Sequence, residues 1–337
     1  MRILVTGGAG YIGSITADHL LERGHEVEIL DSLVTGHRDA LPAVTFHAVD
    51  LRDRAALDGV FDRPFDAVLH FAAFSLVGES VQQPLRYWDN NVGAMLALLD
   101  RVARGGASRF VFSSSAAVYG EPDRAVIPED APLAPINPYG HTKAAMEWAL
   151  ADLAAVHGVS AVALRYFNAA GAWGGRGEDH EPETHLVPRL LRAAADPTSR
   201  FAIFGDDYPT PDGTCVRDFI HVRDLATAHA AAVEWAERPG FCAINLGTGR
   251  GCSVREMVAA AGEVTGRPLD PPREARRAGD PARLVAAVER ARSWLGWRAE
   301  HSDVATILAD AWRWHADHPH GYRERPRRPP SGAPAGA

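Results

Sequence analysis

TGGAGYIG, residues 6–13, is the stretch on which the fold turns. It reads G-x-G-x-x-G through Gly8, Gly10 and Gly13, and G-x-x-G-x-x-G through Gly7, Gly10 and Gly13. An apolar run, RILV at 2–5, precedes it, and a helical pattern follows. Glycines in that setting let the backbone come close to a pyrophosphate, whose charge the helix N-terminus stabilises. A second apolar run, VEIL at 27–30, ends on Asp31. A carboxylate there accepts hydrogen bonds from an adenosine ribose and repels a 2′-phosphate. Strand, glycine turn, helix and acid in that order predict an NAD-binding unit rather than a tight structural turn. His37 and Arg38 stand close enough to soften the preference for NAD over NADP, not to remove it.

The same alternation continues outward. VTFHA at 44–48, AVLHF at 67–71, RFVFS at 109–113 and AVALR at 161–165 are further short apolar runs with helical patterns between them. Strands apolar along their whole length, separated by helices, belong to a parallel sheet covered on both faces. The fold class is therefore α/β, a doubly wound parallel sheet of Rossmann type. After Asn168 the texture becomes Gly-rich, acidic and Pro-rich, which predicts a smaller C-terminal substrate domain built largely of loops. The expected division is 1–170 for the NAD-binding domain and 171–325 for the substrate domain, with about 215–247 returning to the sheet. RERPRRPPSGAPAGA ends the chain, and 326–337 is expected to be a disordered tail.

Bulk properties narrow the function classes. The 337 residues are 46% hydrophobic and 23% charged, as in an ordinary globular protein. A formal charge of -8 argues against nucleic acid as a partner. No apolar run reaches membrane-spanning length, and no signal peptide precedes the first strand. Cys215, Cys242 and Cys252 lack metal spacing and fit a reducing cytoplasm.

One residue is singular. Of 35 Lys and Arg, only Lys143 is a lysine, and it lies four positions after Tyr139 in PYGHTKAA. Residues so spaced share a helix face, and a compact ammonium can tune a neighbour as a guanidinium cannot. Ser113, Ser114 and Ser115 close the fifth apolar run, at the carboxyl edge where an open α/β sheet presents its ligands. Ser115, Tyr139 and Lys143 beside a dinucleotide suggest chemistry on an alcohol. Bringing a phenol from pKa about 10 to neutrality takes roughly 3 units, or about 4 kcal/mol. An adjacent ammonium and a positive nicotinamide ring are the expected source.

TGGAGYIG, HFAAFSLVGES, SSSAAVYG, PYGHTK, LRYFNAAGA and VRDFIHV together resemble the extended short-chain dehydrogenase/reductase family, and within it the branch that acts on nucleotide sugars. The stretch AIFGDDYPTPDGTCVRDFIHV is the most specific part of a likeness that covers about residues 1–320. It implies NAD-dependent 4-epimerisation of UDP-glucose and UDP-galactose through a transient 4-keto sugar. Tyr139 is then the base, Lys143 holds it and the nicotinamide ribose, and Ser115 assists. The implied NAD contacts are Gly7, Gly10, Tyr11, Ile12 and Gly13; Asp31, Ser32, Leu33, Thr35 and Gly36; Asp50 and Leu51; Phe71, Ala72, Ala73 and Ser75; and Asn90 and Phe167, besides Tyr139 and Lys143. The UDP-sugar would meet Ser115, Asn168, His185, Leu186, Phe204, Arg217, Arg277 and Asp280, with Leu284 setting the room around C2 of the sugar. The resemblance also implies a homodimer formed through helices near 84–104 and 138–157.

Other activities fit less well. A nucleotide-sugar dehydratase needs an acid/base pair directly after the catalytic hydroxyl, where this chain has Ala116 and Ala117. HEPETH at 180–185 resembles a zinc-hydrolase helix, but its histidines are five apart and Pro182 opposes the helix, so no metal site is expected. No G-x-S-x-G marks a serine hydrolase. The alternatives kept are 4-epimerisation of UDP-N-acetylglucosamine or a UDP-pentose, and a non-catalytic NAD-binding regulator.

Overall fold

The computed structural model describes residues 1–196, 198–236, 239–277 and 280–322. The expected disordered tail, 326–337, lies outside the described residues. Six strands alternate with helices through the first half: β1 (Arg2–Thr6), β2 (Glu26–Asp31), β3 (Thr45–Ala48), β4 (Phe65–His70), β5 (Ala107–Ser115) and β6 (Ser160–Tyr166). A seventh, Gly240–Leu246, pairs in parallel with β6 from Gly240 against Ser160 to Leu246 against Tyr166. The order across the sheet is Gly240–Leu246, β6, β5, β4, β1, β2, β3, and every pairing is parallel. Chain progression reverses between β1 and β4, which opens a crevice at the carboxyl ends of the strands.

Both faces of the sheet are apolar because successive side chains point to opposite sides. Leu4, Leu30, Val68, Phe110 and Phe112 pack one way, against Met95, Leu98, Met146 and Leu150. Ile3, Val5, Ile29, Leu69 and Val111 pack the other way, against Ala17, Leu20, Leu225 and Ala228. Each such Leu or Ile contributes about 1.5–3 kcal/mol by leaving water. The edge strand β3 departs from the sequence expectation: Thr45 and Ala48 are exposed and the residues between them half-buried. A strand with one neighbour needs only one covered side.

The long helix Pro138–His157 positions the reactive residues. Asn137 caps its start by accepting a hydrogen bond from Gly140 N at 2.9 Å, Pro138 fills the first turn, and Gly158 ends it in the left-handed region at φ 67°. Downstream, the chain is more helical than its Pro-rich texture suggests. Helices Leu186–Ala195, Val254–Thr265 and Val304–Asp317 surround their own core of Leu190, Leu191, Phe219, Met257, Ile307 and Leu308. Prolines mark the connections there, while Ser253 and Glu256 form a reciprocal cap that starts the second of these helices. Among the described residues no helix is long and apolar enough to cross a membrane.

Candidate active site

One cavity of about 1390 Å³ runs along the carboxyl edge of the sheet, from the Gly7–Gly13 turn to Leu284. The turn is built for close approach. Gly7 has φ +74°, and a Cβ on it would lie 2.5 Å from Ala72 N; one on Gly13 would lie 2.3 Å from Gly7 O. Gly10 precedes the helix Tyr11–Glu22 without a side-chain cap, which leaves the first-turn N–H groups facing the cavity mouth. Asp31 accepts one backbone hydrogen bond on each carboxylate oxygen, from Ala9 N at 3.0 Å and Leu33 N at 2.8 Å. Each oxygen keeps a lone pair for a ribose hydroxyl. Burial raises the Asp31 pKa, and the two N–H donors oppose that rise. A cradle that any Cβ would fill, an open helix N-terminus and a fixed carboxylate fit a dinucleotide.

The remaining residues implied for NAD all line this cavity: Tyr11, Ile12, Ser32, Leu33, Thr35 and Gly36 at one end, Asp50 and Leu51 beside them, then Phe71, Ala72, Ala73, Ser75, Asn90 and Phe167. His37 also lines the cavity, with Nε2 3.1 Å from the Asp179 carbonyl and its ring stacked on Tyr322. Arg38 lies over Phe46.

Ser115, Tyr139 and Lys143 converge midway along the cavity. Strand alternation sorts the three serines. Ser113 bonds Tyr166 and Ser115 bonds Tyr139, whereas Ser114 points the other way and donates to Glu147 Oε1 at 2.5 Å. Lys143 is buried and donates from Nζ to the Ser113 carbonyl at 2.7 Å, with Nζ 5.8 Å from the Tyr139 ring centre. Burial lowers its pKa to about 7, against a weaker upward pull from Glu147. The expectation that Lys143 lowers the phenol is not met in the chain alone. Burial raises the Tyr139 pKa, and the opposing influence is the hydrogen bond with Ser115. Lys143 lies to the side of the phenol and spends a donor on Ser113.

The substrate wing is assembled from four segments. Asn168 is held by its N–H to Asp218 O at 3.0 Å, and Leu186 opens the helix Leu186–Ala195. Arg217 donates to Asp280 Oδ1 at 2.9 Å and to Pro281 O at 2.8 Å, so the two substrate candidates pair with each other. Arg277 lies 3.7 Å from the Phe204 ring centre. Of the candidates only Phe204 does not line the cavity, since that guanidinium covers it. Leu284 and Phe167 pack against the same small cluster of Ala116, Val118, Tyr119 and Ile127, and the Leu284 strand pairs in parallel with Val216–Arg217.

Several contributing residues escaped the sequence reading. Asn91, fully buried, accepts from Phe74 N at 2.8 Å and donates to Thr142 Oγ1 at 3.1 Å, tying the Phe71–Ser75 loop to the reactive helix. Glu147 anchors Ser114 and forms a buried pair with Arg165 at 2.5 Å. Its place four residues after Lys143, between Met146 and Trp148, was the available signal. HEPETH also differs from expectation: His180 and His185 do approach each other, from a loop rather than a helix, with Glu178 and Glu183 between them.

The fold and this cavity define a class: a doubly wound dinucleotide-binding protein with a Ser–Tyr–Lys centre next to an arginine-lined pocket. The chain belongs to the NAD dependent epimerase/dehydratase family, whose model matches residues 3–247. It is 50% identical over 329 residues to a UDP-glucose 4-epimerase of Streptomyces lividans, covering 96% of this chain and 99% of that one. The UDP-glucose 4-epimerase of Brucella ovis in complex with NAD superposes with TM-score 0.89 at 48% identity, over 93% of this chain and 97% of that one. That of Bifidobacterium longum, in complex with NAD+ and UDP, gives 0.91 at 38% identity, over 96% and 100%.

Proposed function

We propose that this chain is an NAD-dependent isomerase that interconverts UDP-glucose and UDP-galactose at C4. The observation that carries the reading is the single cavity in which Ser115, Tyr139 and Lys143 stand between the Gly7–Gly13 cradle and the Arg217–Arg277 wing. When bound, NAD supplies the acceptor for the C4 hydrogen, gives it back, and places a positive charge near the phenol. Tyr139 removes the O4 proton and later returns it. Ser115 shares a hydrogen bond with that phenol and holds O4 in line. Lys143, fixed on the Ser113 carbonyl, has donors left for a ribose hydroxyl. Arg217 and Arg277 bind the diphosphate, since a guanidinium can engage two phosphate oxygens at once. With the nucleotide fixed, the 4-keto sugar turns over in a pocket that Leu284 and Phe167 leave apolar. Ala116 and Ala117 next to Ser115 provide no acid or base for dehydration.

Residues 1–170 with 215–247 act as the cofactor half and 171–325 as the substrate half. A homodimer through the helices Ala94–Arg101 and Pro138–His157 fits their exposed apolar side chains, and unpaired Cys215, Cys242 and Cys252 suit the cytoplasm. Incubation with UDP-galactose tests the reading: UDP-glucose should accumulate to an equilibrium mixture without added reductant. A protein that binds NAD yet leaves the sugar unchanged would instead be a non-catalytic regulator.

A further inference from the structure

The loop between Gly177 and Leu186 brings four side chains together beside the cavity: His185, a substrate contact implied by the family resemblance, and three acid or imidazole groups to which the epimerase chemistry gives no role. Glu178, His180, Glu183 and His185 each offer one ligand atom, and these atoms all lie within 4.8 Å of one another. The His185 Nδ1 is 2.9 Å from Glu178 Oε1 and 3.2 Å from Glu183 Oε1; the His180 Nδ1 is 3.4 Å from Glu178 Oε1 and 3.7 Å from Glu183 Oε2. Ligands around a tetrahedral zinc, with bonds of about 2.0–2.2 Å, stand about 3.3–3.6 Å apart, so the four measured separations straddle that edge.

The four groups face one another at ion-pair distance, yet several of their atoms lack hydrogen-bond geometry. Nδ1 of His180, Nδ1 of His185 and Oε2 of Glu183 are all buried without a hydrogen-bond partner, and the Glu183 side chain is 0% exposed. A bound cation would give all three a partner at once. The other Glu183 oxygen accepts from the backbone N–H of His185 at 2.8 Å, which fixes the carboxylate's orientation in the way metal-binding carboxylates are usually held.

We propose that Glu178, His180, Glu183 and His185 form a closed, structural site for one zinc ion. Two imidazole nitrogens and two carboxylate oxygens suit zinc, and two carboxylates balance its charge. Four protein ligands leave no open position, so the ion activates no water. Its work is mechanical. His185 is the residue before the helix Leu186–Ala195, and that helix presents Leu186 and Arg189 to the cavity. Tying His185 to Glu178 closes the loop and fixes where the helix begins. The rival arrangement is two protonated imidazoles paired with two carboxylates, which needs no metal.

The test does not depend on turnover. Full-length protein, purified without chelator or a metal column, should contain close to one zinc per chain by elemental analysis. Dipicolinate should remove it and lower Tm, and one equivalent of zinc should restore both. The double variant H180Q/E183Q should hold less than a tenth of that zinc while still carrying NAD, which shows that the fold survives. Should that variant lose NAD as well, the zinc titration of stripped wild type decides alone. Wild type that takes up no zinc from micromolar solution, or a double variant that keeps a full equivalent, overturns the proposal. The first outcome would leave the proton-paired arrangement in its place.

Discussion

Lys143 donates from its one ammonium to the Ser113 carbonyl under the Phe112 ring, in a space that is 3% exposed. A guanidinium is wider and planar, so it cannot take the place of a compact ammonium in that space. Lys143→Arg should retain NAD and fold yet lose at least about 100-fold in kcat, the scale of a mispositioned general base; Tyr139→Phe should lose as much. Near-normal turnover of Lys143→Arg would reduce Lys143 to an ordinary buried cation. A second outcome follows from burial. The folded-state pKa of Lys143 is near 7, against about 10.4 for a free lysine. Between those values the unfolded chain holds the extra proton, so stability traced to this site is lowest below pH 7 and rises with pH through the window. Melting nucleotide-free wild type and Lys143→Met from pH 6.5 to 9.5 should show wild type gaining on the variant as pH rises. Parallel curves would mean the ammonium is well solvated or well paired.

Elements explain what the sequence disclosed and what it hid. The Gly7–Gly13 turn was legible because everything it needs is local: strand before, helix after, acid at the end of the next strand. A Cβ at Gly13 would meet the Gly7 carbonyl at 2.3 Å, backbone against backbone. Gly13→Ala should therefore push the turn outward, lowering both Tm and co-purified NAD; unchanged nucleotide content would show that the helix can move as a unit. The reactive helix was legible too, from Pro138 and the Tyr139–Lys143 spacing. The loop from 178 to 185 was not, because its residues converge without any helical or strand period. Asn91 escaped for a similar reason, since its partners Phe74 and Thr142 lie 17 and 51 positions away. The strand Arg283–Leu284 brings Leu284 to the cavity wall, which Phe167 also lines. Apolar bulk alone discriminates by about 1–3 kcal/mol, so an N-acetyl group at C2 should be accepted at reduced rate. Comparing kcat/KM for UDP-glucose and UDP-N-acetylglucosamine, in wild type and Leu284→Tyr, checks this. The variant should lose N-acetyl activity selectively, and an equal loss on both sugars would remove Leu284 as the gate.

At the scale of the whole molecule, one face exposes several large apolar side chains. A shallow groove between the helices Ala94–Arg101 and Pro138–His157 is lined by Leu96, Leu99, Ala103, Ala149, Leu153 and Val156, together with Asp100, Asp152 and His157. Leu96 is 47% exposed, Val156 77% and nearby Trp148 59%. Ala149, Leu153 and Val156 recur at four and three positions, and Leu96, Leu99 and Ala103 at three and four, so each helix offers a continuous stripe. Two such stripes meeting their copies about a twofold axis would make a four-helix contact. Covering one exposed Leu or Val is worth about 1.5–3 kcal/mol, and symmetry doubles the count. None of the groove residues lines the catalytic cavity, so assembly and chemistry are separable. Sedimentation of wild type at micromolar concentration should give twice the chain mass of 36.3 kDa, and L96E/V156E should give the single mass. Burying two carboxylates across such a contact costs several kcal/mol, well beyond what a marginal dimer holds. The variant should keep its NAD and most of its turnover per chain. Wild type that sediments as a monomer would sink the contact outright, and a variant that stays dimeric would move it to another face.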